Sequence, residues 1–165
     1  MYGTARGSGR PIQGPSINGN RPRSIPEPPA SAPKQTDIDS TDIILDVLAL
    51  VGRTRAEIDT ILGRPEHWEA VDPSRVGPDL KCTYRSGKVE IVFLAGRADW
   101  ITVDDLQNVD FSPRSIGRFG FPVLKPTVFN PHVIRWTGLS GLLEVVLWPG
   151  QGRRCHFLYV KAFSP

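Results

Sequence analysis

The sequence predicts an α+β fold: two tandem helix-plus-three-strand units, residues 41–110 and 111–165, behind an N-terminal arm at 1–40. Their strands are expected to join one antiparallel sheet with the helices on one face. Three observations lead there. A capping box opens a short amphipathic segment at Thr54, the apolar period changes from helical to two beyond residue 80, and both features recur in the same order in the second half.

Residues 1–40 hold 7 Pro, 5 Gly and 5 Ser. So little apolar surface cannot offset the ~1 to 2 kcal/mol of ordering entropy per residue, so the arm is expected to be disordered unless a partner orders it. The stretch Ile25-Pro-Glu-Pro-Pro-Ala30 favours extended polyproline II. The 165-residue chain has a formal charge of +3, unevenly placed. Within residues 1–36, Arg6, Arg10, Arg21, Arg23 and Lys34 against Glu27 give +4 and leave −1 for residues 37–165. Basic character therefore belongs to the arm, which reads either as a linker or as a strap along an acidic partner. A protein, a nucleic acid and an anionic membrane surface all stay open for it.

Met1 to Asn20 is polar and glycine-rich, with no apolar core of a signal peptide, so a cytoplasmic location is expected unless a leader has been removed, in which case the envelope is possible. The longest apolar run, Ile43 to Val51, is cut by Asp46 and falls short of the ~20 residues that cross a bilayer, so no transmembrane segment is expected. Two cysteines exclude a disulfide framework and a thiolate zinc site. A single Cys82–Cys155 bridge stays open.

The body opens with Ile43, Ile44, Val47, Leu48 and Val51 on one helical stripe, capped by Ser40 or Thr41 and stopped by Gly52, which predicts a short helix. Thr54 and Glu57 then stand at capping-box spacing, with Ile58, Ile61 and Leu62 as the apolar face, Gly63 as the stop and Pro65 preventing continuation. Past a loop with Pro73, Gly77 and Pro78, a strand at 81–85 leads through Gly87 into 88–94, and Gly96 turns the chain into 98–103. In the second half Ser112 and Ile116 repeat the spacing of Thr54 and Ile58, and Gly120-Phe-Pro122 repeats Gly63-Arg-Pro65. Gly141 to Gly150 spans the same nine positions as Gly87 to Gly96, and a last strand follows at 155–160. Ordered agreement of a cap, a stop and two turns reads as a duplicated unit.

The segment Gly52-Arg-Thr54-Arg-Ala-Glu57-Ile58 with Leu62-Gly63-Arg-Pro65, and more weakly Ser112 to Pro122, resembles the helix starts of the bacterial SmpA/BamE outer-membrane assembly lipoproteins. In tandem it resembles the architecture of the β-lactamase inhibitory proteins. The resemblance implies a protein-binding fold and transfers no partner and no functional residue. The lipobox cysteine and the inhibitors' cysteine pairs are lacking in this sequence.

Candidates for chemistry are thin. His67, His132 and His156 lie in separate segments without metal-ligand spacing, the first and second in expected loops. Asp104, Asp105 and Asp110 read as turn and cap residues, Gly138-Leu-Ser140-Gly141 lacks a nucleophile elbow, and no phosphate-cradling glycine motif precedes a helix. Cys82 and Cys155 are expected as buried small hydrophobes. No catalytic residue, cofactor or metal is assigned.

Surface chemistry is richer. With Val89, Ile91, Phe93, Leu143, Val145 and Leu147 facing the helices, the outer face presents Lys88, Glu90, Val92, Leu94, Leu142, Glu144, Val146 and Trp148. That set is more apolar than a solvated sheet face. Trp100, Trp136 and Tyr159 are read as core. The function expected is a non-catalytic interaction or adaptor subunit of a larger protein assembly. It would bind through Glu90, Val92, Glu144, Val146 and Trp148 and through Arg6, Arg10, Arg21 and Arg23 of the arm. The body's charge disfavours nucleic acid. The alternatives are an inhibitor or immunity protein of one enzyme, and an enzyme whose site would be sought at Asp99, Asp104, Asp105 and His132.

Overall fold

A computed structural model describes residues 43–71 and 79–162; the arm with its four arginines lies outside the described residues. The chain divides into two units, Met1–Thr36 and Asp37–Pro165, and everything described belongs to the second.

Among the described residues one α-helix forms, α1 at Arg55–Leu62. Its start is the capping box expected at Thr54: the Glu57 amide donates to the Thr54 hydroxyl at 3.4 Å, and the Thr54 amide donates back to the Glu57 carboxylate at 2.8 Å. Gly63 closes the helix at φ +88°. Ile58 is fully buried, whereas Ile61, expected on the same apolar face, stands half exposed.

Eight strands make one antiparallel sheet: β1 His67–Ala70, β2 Leu80–Tyr84, β3 Val89–Leu94, β4 Arg97–Val103, β5 Val128–Asn130, β6 Val133–Thr137, β7 Glu144–Pro149 and β8 Cys155–Lys161. Their order is β1-β2-β3-β4-β8-β7-β6-β5, so two four-stranded meanders meet through their last strands. This overturns the helix-plus-three-strand units. Each half has four strands, β1 puts His67 in a strand rather than a loop, and the helical content is smaller than expected on both sides.

Two expected helices are replaced, for reasons visible in the backbone bonds. The 43–51 segment is a run of turns. The Ile44 and Val47 amides donate to the Arg118 and Phe119 carbonyls, and the Asp46 carboxylate takes the Ala49 amide at 3.0 Å, so no i to i−4 ladder is left to form. Val47 is buried as expected, but Leu45 and Leu50 are buried in place of Ile43 and Ile44, which are exposed. In the second half Pro113–Phe119 is a 3-10 helix. Ser112 caps the Arg114 amide at 3.2 Å, Ser115 donates its hydroxyl to the Asp110 carbonyl at 2.6 Å, and Gly117 weakens the middle of the run. Gly120 then follows at φ +82°, and a Cβ there would lie 2.3 Å from the Asp46 carboxylate. Only glycine lets the 43–51 turns approach this helix so closely.

A third correction concerns Leu142 and Leu143. Leu142 is buried and Leu143 exposed, the reverse of expectation. Gly138, Ser140 and Gly141 all have positive φ, and the Leu142 amide closes this turn onto the Leu139 carbonyl. The pleat therefore starts only at Glu144, two residues later than the alternation implies.

The core is one cluster in which every strand residue points to a single face. Ile91, Ile101, Val145, Leu147, Leu158 and Val160 pack there with Leu50, Ile58, Ile116 and Phe119 from the segments that cover them. Each such fully buried side chain contributes about 1.5 to 3 kcal/mol. Cys82 and Cys155 are free and buried, which closes the question of a bridge between them. They stand on β2 and β8 with β3 and β4 between, roughly 14 Å of sheet against the ~7 Å Cα limit of a disulfide.

The capping box makes stability depend on acid. Hydrogen bonds from Thr54 hold the Glu57 carboxyl down to about 2 from its ordinary 4.5, with Arg53 helping. A depressed carboxyl stabilises the fold at neutral pH, and that share fades as pH falls below the unfolded value toward 2. In urea unfolding, Glu57→Gln is expected to be less stable than the wild type at pH 6, with the gap narrowing by pH 3. A gap of equal size at both pH values would contradict the assignment.

Candidate functional site

The sheet's other face presents the exposed Trp100 and Trp148, while Ile61, Trp68, Leu124 and Phe129 are exposed elsewhere on the described surface. Every non-strand residue of the hydrophobic cluster packs on the inner face. The outer face is built from rows of side chains across the strands. Val92, Trp100, Lys161 and Glu144 form one row from β3 through β4 and β8 to β7. Glu90, Thr102, Tyr159, Val146 and Arg135 form the next, and Phe157 and Trp148 the one after.

The five outer-face residues expected from sequence thus share one face but stand in two groups: Glu90 and Val92 on β3, Glu144, Val146 and Trp148 on β7. Between them run β4 and β8, which contribute Trp100, Phe157, Tyr159 and Lys161. Reading Trp100 as core is corrected: it is 42% exposed, while Trp136 is buried. Tyr159, also read as core, is half-buried on the outer face beside Trp100. The cause is a bulge in β4. Ala98 and Trp100 oppose Phe93 and Val92, so Asp99 is the extra residue: Trp100 keeps its outward phase beside inward Ile101 and Val103, while Ala98 is turned inward and the simple alternation of 98–103 is broken.

That bulge carries an ion pair. Asp99 and the Lys161 ammonium are in contact, with only 4% and 14% of their side chains exposed. The ammonium lies 4.4 Å from the centre of the Trp100 ring. Around them Val146 is only 2% exposed without belonging to the core cluster, so it is covered by its own outer-face neighbours. Trp100 meets Tyr159 edge to face at 6.4 Å, and Trp148 stacks on Phe157 at 5.8 Å. Arg135 pairs with Glu144 at 3.4 Å without hydrogen-bond geometry at its Nε, and Lys81 bonds Glu90 at 2.8 Å.

The residues considered for catalysis do not converge. Asp99 is held by Lys161, Asp105 by Lys88 at 2.6 Å and Asp110 by Arg154. Burial raises the Asp104 carboxyl, with His156 opposing and Glu90 adding to the shift. His132 sits in the β5–β6 turn, with β7 and β8 between it and the end of β4. A hollow of about 450 Å³ beside the β7–β8 turn is lined by Gln107, Gln151, Arg154, Cys155 and His156 among others. Burial pushes the Cys155 thiol up to about 12, and its Sγ lies 3.3 Å from the Asp110 carbonyl, so it is a poor nucleophile. Cys82 is likewise raised by burial.

Among the described residues no three His, Cys, Asp or Glu are grouped as a metal would need, and no helix is long and apolar enough to cross a membrane. No family model matches the chain, and no curated protein or solved structure is significantly similar to it.

The Asp99–Lys161 pair fixes the bulge on which this face depends, and removing one partner of a buried pair strands the other. Asp99→Ala is expected to lower the unfolding free energy by about 3 kcal/mol in urea titrations. A loss of less than ~1 kcal/mol would mean that the pair behaves as a solvated surface contact.

Proposed function

We propose that this chain is a non-catalytic interaction or adaptor subunit that binds a protein partner through the outer face of its sheet, with the basic residues of the arm contributing. The reading rests chiefly on the outer face of β4, β8 and β7, where Trp148 is 39% exposed and Trp100 42%, flanked by Tyr159, Phe157 and Val146. Exposed tryptophan with apolar neighbours and a rim of charge is the composition of an interface centre, where a few anchors carry most of the binding energy. The described carboxylates are mostly committed to ion pairs and the described thiols are buried, which favours binding over chemistry. The likeness of residues 52–65 to the SmpA/BamE helix start supports the same class of role.

The test is affinity capture from the source cells with tagged full-length chain, quantified by mass spectrometry. Trp100→Ser and Trp148→Ser are expected to reduce recovery of specific partners at least about tenfold. Ile61→Ser, on the helix side, is expected to leave it unchanged. Equal recovery with all three variants, or no specific partner for the wild type, would overturn the reading. Unchanged recovery by a chain beginning at Thr41 would remove the arm's part in it.

A further inference from the structure

The four aromatic side chains of the outer face form a diagonal stripe over the three central strands. Trp100 of β4 with Tyr159 of β8 makes one pair, and Phe157 of β8 with Trp148 of β7 makes the other. Counting three residues along the strands at ~3.4 Å and one strand spacing of ~4.8 Å, the pair centres stand about 11 Å apart. A polyproline II segment repeats every three residues at ~3.1 Å rise, which places rings on one of its sides about 9 Å apart. Two aromatic pairs at this separation can each receive a proline ring from successive turns of such a segment, without a deep pocket.

Charge selects among possible occupants. On this face Asp99, Asp105 and Glu144 are matched one to one by Lys161, Lys88 and Arg135. Lys81 alone serves both Glu90 at 2.8 Å and Glu69 at 3.8 Å, and Asp104 makes no ion pair among the described residues. Arg97, opposite Leu94 and bonded to the Gly52 carbonyl, adds a fifth cation, so the described face carries one carboxylate in excess, on the β1–β4 side of the stripe. Phosphate backbones and anionic lipid headgroups are repelled by that excess, and two copies of the face would set like charge against like. An arginine is attracted, and its flat guanidinium also stacks on indole.

Taking the outer face as the interface, as in the preceding reading, we propose that its occupant is an extended, proline-rich segment bearing arginine. Its prolines lie on the Trp100/Tyr159 and Trp148/Phe157 pairs, and its guanidinium sits on the side of Glu90 and Asp104. The partner is a protein that offers such a segment outside its own folded core, with acidic groups elsewhere on it for the arm's arginines.

Fluorescence anisotropy with three labelled peptides tests this on the full chain: eight prolines flanked by arginines, eight prolines flanked by glutamates, and a glycine-serine spacer flanked by arginines. The arginine-flanked polyproline is expected to bind at least about tenfold more tightly than either control. Trp148→Ala and Trp100→Ala are each expected to weaken it about fivefold or more, with thermal melts confirming that the variants fold. Glu90→Gln is expected to weaken it less and to reduce its salt dependence. Failure of that peptide to bind, or equal binding by either control, overturns the proposal. If it fails while Trp148→Ser still loses partners in the capture experiment, the ligand class is wrong and the interface stands. If Trp148→Ser loses none either, both fall.

Discussion

The structure depends on the antiparallel seam between β4 and β8, where Trp100, Ile101, Thr102 and Val103 face Lys161, Val160, Tyr159 and Leu158. Two four-stranded meanders with two free edges become one eight-stranded sheet only through these pairs. Alternation then fixes both faces at once. Ile101, Val103, Leu158 and Val160 go into the core, while Trp100, Thr102, Tyr159 and Lys161 go outward. A slip of one residue would turn one strand over against the other, either burying the Trp100 indole and exposing Ile101 and Val103 or burying the Lys161 ammonium and exposing Leu158 and Val160. The Asp99 bulge and its contact with Lys161 bind the seam from the outer side, so the same register that builds the core sets the aromatic stripe.

The parts of this fold written in local sequence were legible there. The α1 capping box needs only Thr54 and Glu57 at fixed spacing, and β3 needs only its own alternation between Lys88 and Leu94. Glycines 87 and 96 mark turns because φ there is +80° and +77°. Elements defined by a distant partner were not legible. β1 and β5 are four and three residues long, exposed throughout, and are strands only because β2 and β6 pair with them. The 43–51 stripe matches a helix equally well. Its amides instead find carbonyls around Arg118 and Phe119, more than sixty residues away.

The candidate face followed the same division. Glu90, Val92, Glu144, Val146 and Trp148 could be placed outward from the phase of their own strands. Their relation to one another could not, because it passes through β4 and β8. The bulge at Asp99 also hid Trp100 by breaking the simple alternation that would have marked it as exposed. A buried acid within an otherwise apolar strand, next to a tryptophan, was the available signal. It points to a lysine elsewhere in the chain, and Lys161 is that residue.

Native-state hydrogen exchange read residue by residue tests the β4–β8 seam, since a continuous sheet makes the seam its most protected part. The amides of β4 and β8 that cross the seam are expected to exchange only by global unfolding, at the same free energy in both strands, while β1 and β5 exchange by local opening. If the β4 and β8 amides exchanged as readily as those edge strands, or at two clearly different free energies, the halves would not share one sheet. The outer face described here would then not exist as a single surface.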